Sequence, residues 1–199
     1  MTRIPSHTVE DAPAASRALL EDMLQFSPTG QLLNMHAQMA HAPAVLDAYT
    51  SIRRVTARHG TLDPAVRAAL MLATAAAGDS EYARAIISTL ARRSGWPPEQ
   101  LDALFAGKDL GEEKTDALLG VVREAAANSG HVSDLAWARA TASGWSSEQL
   151  TEAFAYLGLT VFTSYFLNYA GSALDIPADI PRSDQASASA QAATSTAGS

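Results

Sequence analysis

Apolar side chains recur along this chain at helical spacing, and no segment reads as a convincing strand. In SRALLEDMLQF (16–26), Leu19, Leu20, Met23, Leu24 and Phe26 share one helical stripe, and the following SPTG breaks it. QLLNMHAQMA (31–40) predicts a short helix stopped by Pro43. PAVLDAYTSIRRVTARHG (43–60) opens on proline and closes on glycine, the asymmetry expected of a helix. Within LDPAVRAALMLATAAAG (62–78), Asp63 suits an N-cap and Pro64 a first-turn position. The next helix is expected to begin at Asp79 or Ser80 and to end before Gly95. Further helices are expected from about Glu113 to Asn128 and after an N-cap at Ser133, and a long apolar one runs through AFAYLGLTVFTSYFLNYA (153–170).

An internal repeat organises the second half. SGWPPEQLDALF (94–105) matches SGWSSEQLTEAF (143–154), with Ser, Gly, Trp, Glu, Gln, Leu and Phe in place. In each copy a glycine ends one helix, a tryptophan plugs the corner and a new helix starts. Ser146 with Gln149 fits a capping box, and Pro98 serves at the equivalent start. Two copies suit a duplicated helical unit with local pseudo-symmetry rather than a solenoid. Trp96 and Trp145 are therefore read as packing anchors. The fold class expected is all-α, as a single helical domain over 16–180. A flexible leader over 1–15 and a disordered, low-complexity tail over 181–199 are expected to flank it.

Composition narrows the function. With 199 residues, 47% apolar and 18% charged, the chain can bury a core without staples. A formal charge of −7 with no block of Lys or Arg argues against nucleic-acid binding. Zero cysteines exclude disulfides, thiolate nucleophiles and thiolate metal sites. MTRIPSHTVEDAP carries no apolar run, so no secretory signal is read there and a cytoplasmic location is expected. The uncharged 153–170 stretch approaches the length of a membrane span. Thr160, Thr163, Ser164 and Asn168, with no flanking Lys or Arg, point instead to a buried helix or a subunit contact.

The order of these segments resembles the carboxymuconolactone decarboxylase family, which includes the alkylhydroperoxidase D-like proteins. The resemblance runs from about Ser16 to Pro177. NMHAQMAHAPAVLDAY is similar to the family segment in which an asparagine opens a helix and an Ala-His-x-Pro step leads to the next. LDPAVRAALMLATAAAGDSEYARAIISTLARRSGW resembles its core helical hairpin. GHVSDLAWARATASGWSSEQLTEAFAYLGLTVFTSYFLNYAGSALDIP resembles its C-terminal half, including Val-Phe-Thr-x-Tyr-Phe and the closing Asp-x-Pro. The resemblance implies an alkylhydroperoxidase D-like core and a homo-oligomer. It also implies what is missing. The redox cysteines of the family fall on Ser80 and Ala83, their histidine on Ile87 and the upstream glutamate on Ala68. Many relatives carry Asn-His where Leu167 and Asn168 stand, and Asp at Gly171. Thiol peroxidase and disulfide reductase activities need a thiolate and are therefore excluded. The namesake decarboxylase acts on a small lactone acid by acid–base chemistry without a dithiol.

The remaining polar groups define the candidate chemistry, each with a plainer structural role beside it. His36 departs toward polarity at a position that is usually apolar or aromatic in the family; it is read as a general base or as a satisfied core histidine. Tyr82 lies between the two former cysteine positions and is expected to border the old pocket, its hydroxyl donating to substrate. Ser80 is a substrate contact or a helix cap, and Arg84 a carboxylate clamp or the partner of Glu81. Tyr165 and Tyr169 share a helix face with Asn168 beside them. That cluster is a polar pocket wall, with Tyr165 as proton donor and Asn168 and Tyr169 as substrate contacts, or else a subunit contact. His41 is expected to hydrogen-bond a turn, and the histidine spacings suggest no metal site.

Two functions follow as expectations. One is a cofactor-free, non-redox enzyme acting on a small organic acid, lactone or polyketide-like substrate by isomerisation, decarboxylation or cyclisation. The other is a catalytically inactive family member that binds a small ligand or a partner. No nucleic acid, membrane or metal enters either.

Overall fold

Asp63 and Pro64 begin a helix as their spacing predicts: the Asp63 carboxylate accepts from the Ala65 N–H at 2.8 Å, and Pro64 takes the first turn. The computed structural model describes residues 2–25, 27, 30–78 and 80–176. These form nine helices and no strand: α1 (Ala14–Gln25), α2 (Asn34–Met39), α3 (Pro43–His59), α4 (Pro64–Ala77), α5 (Glu81–Arg93), α6 (Pro98–Phe105), α7 (Glu113–Ala127), α8 (Asp134–Ala142) and α9 (Ser147–Ala170). The expected tail over 181–199 and the alternative cap at Asp79 lie outside the described residues.

The other predicted caps form by the same chemistry. Ser80 accepts from the Ala83 N–H and starts α5, and Ser133 accepts from Ala136 and starts α8. Ser146 and Gln149 make the reciprocal capping box of α9.

The duplication extends well beyond the matched letters. Helices α4, α5 and α6 are followed in the same order by α7, α8 and α9, and the starts Pro64 and Pro98 correspond to Glu113 and Ser147 at the repeat offset. Gly95 and Gly144 turn the chain with φ of 92° and 89°, where a side chain would be strained. The indole N–H of Trp96 donates to the Ala65 carbonyl at 2.8 Å, and that of Trp145 donates to the Lys114 carbonyl at 2.6 Å. Each tryptophan thus locks its corner to the helix that opens its own unit.

Helix α4 lies at the centre. It packs against α5, α6, α7 and α9, and Ala68, Ala69, Leu70, Leu72, Ala73, Thr74 and Ala75 are all buried. Its alanines let neighbouring backbones approach closely, while Leu70 and Leu72 fill the space between them. Helix α9 is long and apolar enough to cross a membrane, but half of its most apolar stretch is buried inside the fold.

Bonds between distant parts of the chain set several local features. Residues 3–7 are tied to the helices. The Arg3 guanidinium donates to the Asn168 and Tyr169 carbonyls at 3.0 and 2.8 Å, and the Arg3 N–H donates to Ala170, so a cation satisfies the open carbonyl end of α9. The Gln38 amide donates to the Ile4 carbonyl, and the His41 ring meets both the Pro5 carbonyl and His7. The 31–40 helix is shorter than predicted, Asn34–Met39, because no side chain of its own caps it. Instead Asp175, far along the chain, accepts from the Asn34 N–H at 2.5 Å. Gly60 closes α3 as expected, with φ −66°. A side chain there would meet the Thr56 carbonyl, the Tyr156 hydroxyl and the Glu152 carboxylate at 2.5, 2.6 and 2.8 Å. Space, not backbone freedom, demands glycine.

Beside Gly60, Glu152 of α9 accepts from the Thr61 N–H and hydroxyl, both at 2.7 Å, and from the Leu62 N–H at 3.2 Å. Burial acts to raise its pKa, but the bonds from Thr61 and Leu62 outweigh burial and hold it below the usual glutamate value of 4.5. A lowered native pKa contributes stability that is present above the unfolded value and lost as pH falls through the native one. Urea melts between pH 6 and 3 should show an acid-side loss of stability that is smaller in Glu152→Gln than in the parent. Gly60→Ala is expected to cost about 1–3 kcal/mol at neutral pH in the same melts, as overpacking does.

Candidate functional site

An apolar cavity lies between α2, α3, α4, α5 and α9. Its volume is about 150 Å³, on the scale of a single aromatic ring. Met35, Met71, Ile86, Ile87 and Leu159 supply apolar wall, and thioethers adapt readily to ligand shape. Ala83 and Ile87 also line it. Those are the positions that the family resemblance aligns with the second cysteine and the histidine. Ala68, aligned with the glutamate, is buried in α4.

His36, Tyr49 and Arg53 are among its polar lining residues. His36 Nε2 lies 3.4 Å from the Tyr49 hydroxyl, and the Arg53 guanidinium donates to that hydroxyl at 3.4 Å while sitting 5.6 Å from the ring centre. Burial, with the Arg53 charge adding to it, pushes the His36 pKa down from 6.5 to about 3. Burial likewise raises the Tyr49 pKa, opposed by Arg53. Both rings are therefore neutral across the physiological range. The expectation that His36 serves as a general base near neutrality is corrected: its ring is too weakly basic, and it acts as a neutral hydrogen-bond partner. Arg53 and Arg93 are exposed and place two cations at the cavity's edge.

The other predicted residues do not join His36. Tyr82 points away from this cavity and donates to the Asp175 carboxylate, which also receives the Asn34 N–H. Burial, reinforced by Asp175, raises the Tyr82 pKa far above 10, so its proton stays on the hydroxyl. Tyr82 is thus a clasp between α5, α2 and the segment after α9 rather than a proton donor to substrate. Its ring borders a second, shallow depression of about 470 Å³ with Glu81, Leu167, Asn168 and Ser172. Ser80 is buried and its oxygen is used as the α5 cap, which corrects its reading as a substrate contact. Arg84 donates to the Ala76 carbonyl at 2.9 Å and lies 6.0 Å from the Phe105 ring centre, so it braces α4, α5 and α6 instead of lining the cavity.

Tyr165 and Tyr169 are 66% and 73% exposed on the outer side of α9, opposite the face that carries Leu159, Thr160 and Thr163 into the cavity. Tyr165 and Tyr169 therefore do not wall the cavity, because the packing of α9 turns them to solvent, whereas Asn168 lines the second depression with Tyr82. Tyr49 and Arg53 are the cavity residues that the sequence reading missed. Their i,i+4 spacing on one amphipathic helix was the available signal. The step from α2 to α3 that brings Tyr49 to His36 is tertiary. Among the described residues, no three His, Asp or Glu side chains are grouped to hold a metal ion.

No protein-family model matches the sequence, and no curated protein matches it significantly. Solved structures do. The alkylhydroperoxidase AhpD core of a peroxidase-related protein from Ralstonia eutropha JMP134 superposes with a TM-score of 0.76 at 17% identity, covering 87% of this chain and 92% of that one. The debrominase Bmp8, as a variant in complex with 2,3,4-tribromopyrrole, gives 0.74 at 18% identity over 88% and 92%. A peroxidase-related protein from Silicibacter sp. TM1040 gives 0.71 at 12% identity over 92% and 93%. The chain has the alkylhydroperoxidase D-like fold that its sequence resembles, without a cysteine anywhere in it.

The depressed His36 pKa has a measurable consequence. Between pH 6.5 and about 3 the unfolded chain binds a proton at His36 that the native one refuses, so stability falls as pH falls through that window. The full effect is on the order of 5 kcal/mol. NMR titration should leave the His36 ring neutral at pH 5, and His36→Leu should flatten the decline in stability between pH 6.5 and 4.

Proposed function

We propose that this protein binds a small, largely apolar organic acid of single-ring size in the α2–α3–α4–α5–α9 cavity, without thiol chemistry. The observation that carries this reading is an apolar cavity edged by two arginines and holding no group that titrates near neutrality. An apolar body fits the methionine- and isoleucine-lined interior. A carboxylate at the mouth would meet Arg53, with Arg93 beside it, in charge-assisted hydrogen bonds. Known complexes of the fold are consistent in scale, since Bmp8 is bound to a single-ring compound, 2,3,4-tribromopyrrole. The enzymatic reading assigned acid–base roles to His36, Tyr82 and Tyr165. It loses support because these residues face three different surroundings and His36 is a poor base.

Calorimetry with benzoate and its neutral isostere benzamide tests the proposal. Benzoate should bind saturably and benzamide at least tenfold more weakly. Arg53→Gln should weaken benzoate roughly tenfold, the worth of one charge-assisted contact. Ala83→Phe, which fills the cavity, should abolish binding while the fold persists by circular dichroism. Absence of saturable binding across a panel of single-ring acids sinks the reading. Conversion of a bound acid, seen by mass spectrometry, would replace it with an enzymatic one.

A further inference from the structure

We propose that His36 and Tyr49 form a hydroxyl-recognising pair on the buried side of the cavity, so that the acid it takes carries a ring hydroxyl; this rests on the acid-binding reading of the same cavity. Arg53, Tyr49 and His36 run along one wall from outside to inside. Arg53 is exposed at the mouth, whereas Tyr49 and His36 are 7% and 5% exposed. The Tyr49 hydroxyl lies 3.4 Å from both the Arg53 guanidinium and His36 Nε2. A carboxylate site at the mouth and a hydroxyl site inside therefore fall within the span of a single substituted ring.

The threonines of this lining are already committed. Thr89, Thr160 and Thr163 donate to the Ala85, Tyr156 and Leu159 carbonyls of their own helices at 3.1, 2.8 and 2.7 Å. The contact between His36 and Tyr49 differs. At 3.4 Å it is longer than an ordinary hydrogen bond, and among the described residues the His36 ring has no other hydrogen-bond partner. Two buried polar side chains thus line an apolar cavity with hydrogen-bonding capacity in hand. Both rings are neutral, so across their contact one supplies the proton and the other the lone pair, whichever tautomer His36 takes. A group placed against both meets one donor and one acceptor. A hydroxyl donates and accepts at once and satisfies both, whereas a fluorine or an ether oxygen satisfies neither fully. A carboxylate there would bury a charge, so the charged end of the acid stays at Arg53. Elsewhere the wall is Met35, Met71, Ile87 and Leu159, against which a hydroxyl would be buried unpaired. The pair therefore selects one ring position rather than hydroxylation in general.

Calorimetry of the full chain with benzoate, the three monohydroxybenzoates and the matching fluorobenzoates tests this. One hydroxy isomer should bind roughly fivefold tighter than benzoate, the net effect of one hydrogen bond. Its fluoro counterpart, close in size but without a proton to donate, should show no such gain, and neither should the other isomers. In Tyr49→Phe the advantage of the favoured isomer over benzoate should be lost. In the parent protein that isomer should shift the His36 ring-nitrogen NMR resonances more than benzoate does, a readout that needs no variant to fold. Equal binding of benzoate and all three hydroxy isomers overturns the inference and leaves the acid-binding reading standing, as does equal binding of the favoured isomer and its fluoro counterpart. An advantage that survives Tyr49→Phe and leaves the His36 resonances unmoved overturns it too, because the hydroxyl is then read elsewhere. Saturable binding of none of these acids overturns both.

Discussion

Close packing around α4 is the constraint on which the rest of the molecule rests. Its alanines at 68, 69, 73 and 75 are buried and small, so α5, α7 and α9 can all approach one helix. A larger side chain at any of these positions would push a neighbour outward, because interiors packed like crystals have no slack. The same smallness shapes the site. Where the fold's redox members are expected to hold cysteine and glutamate, this chain has Ala83 and Ala68, and the cavity beside Ala83 is apolar space rather than a reaction centre.

The cavity's electrostatics follow from its depth. His36 is nearly fully buried and has a cation close by but no carboxylate partner, so it keeps the neutral form. Tyr49 is buried with it, and Arg53 stays at the edge where water solvates its charge. Neutral groups inside and cations outside suit recognition of an apolar acid better than transfer of a proton. Tyr82 serves architecture: its hydroxyl helps hold Asp175, and Asp175 in turn provides the cap that α2 lacks.

Helix α9 serves two surroundings at once. Its inner face closes the cavity with Leu159, Thr160 and Thr163, and Glu152 ties its start to the α3–α4 turn. Arg3 closes its far end from the other terminus of the described chain.

Local chemistry alone determined much of this protein. Asp63, Ser80, Ser133 and Ser146 cap the helices that their spacing predicted, since a cap needs only the next three residues. The repeated Ser-Gly-Trp corners fixed the duplicated units, and the absence of cysteine by itself removes thiol chemistry. The site was legible in place but not in membership. Periodicity puts Tyr165 and Tyr169 on one face of α9, yet only the packing of α4 and α5 against the other side decides that this face looks outward. Likewise the neutral state of His36, its meeting with Tyr49 and the capture of α2 by Asp175 depend on groups brought together from distant parts of the chain. Burial and partner distance set their energies, and both are properties of the assembled fold rather than of any stretch of sequence.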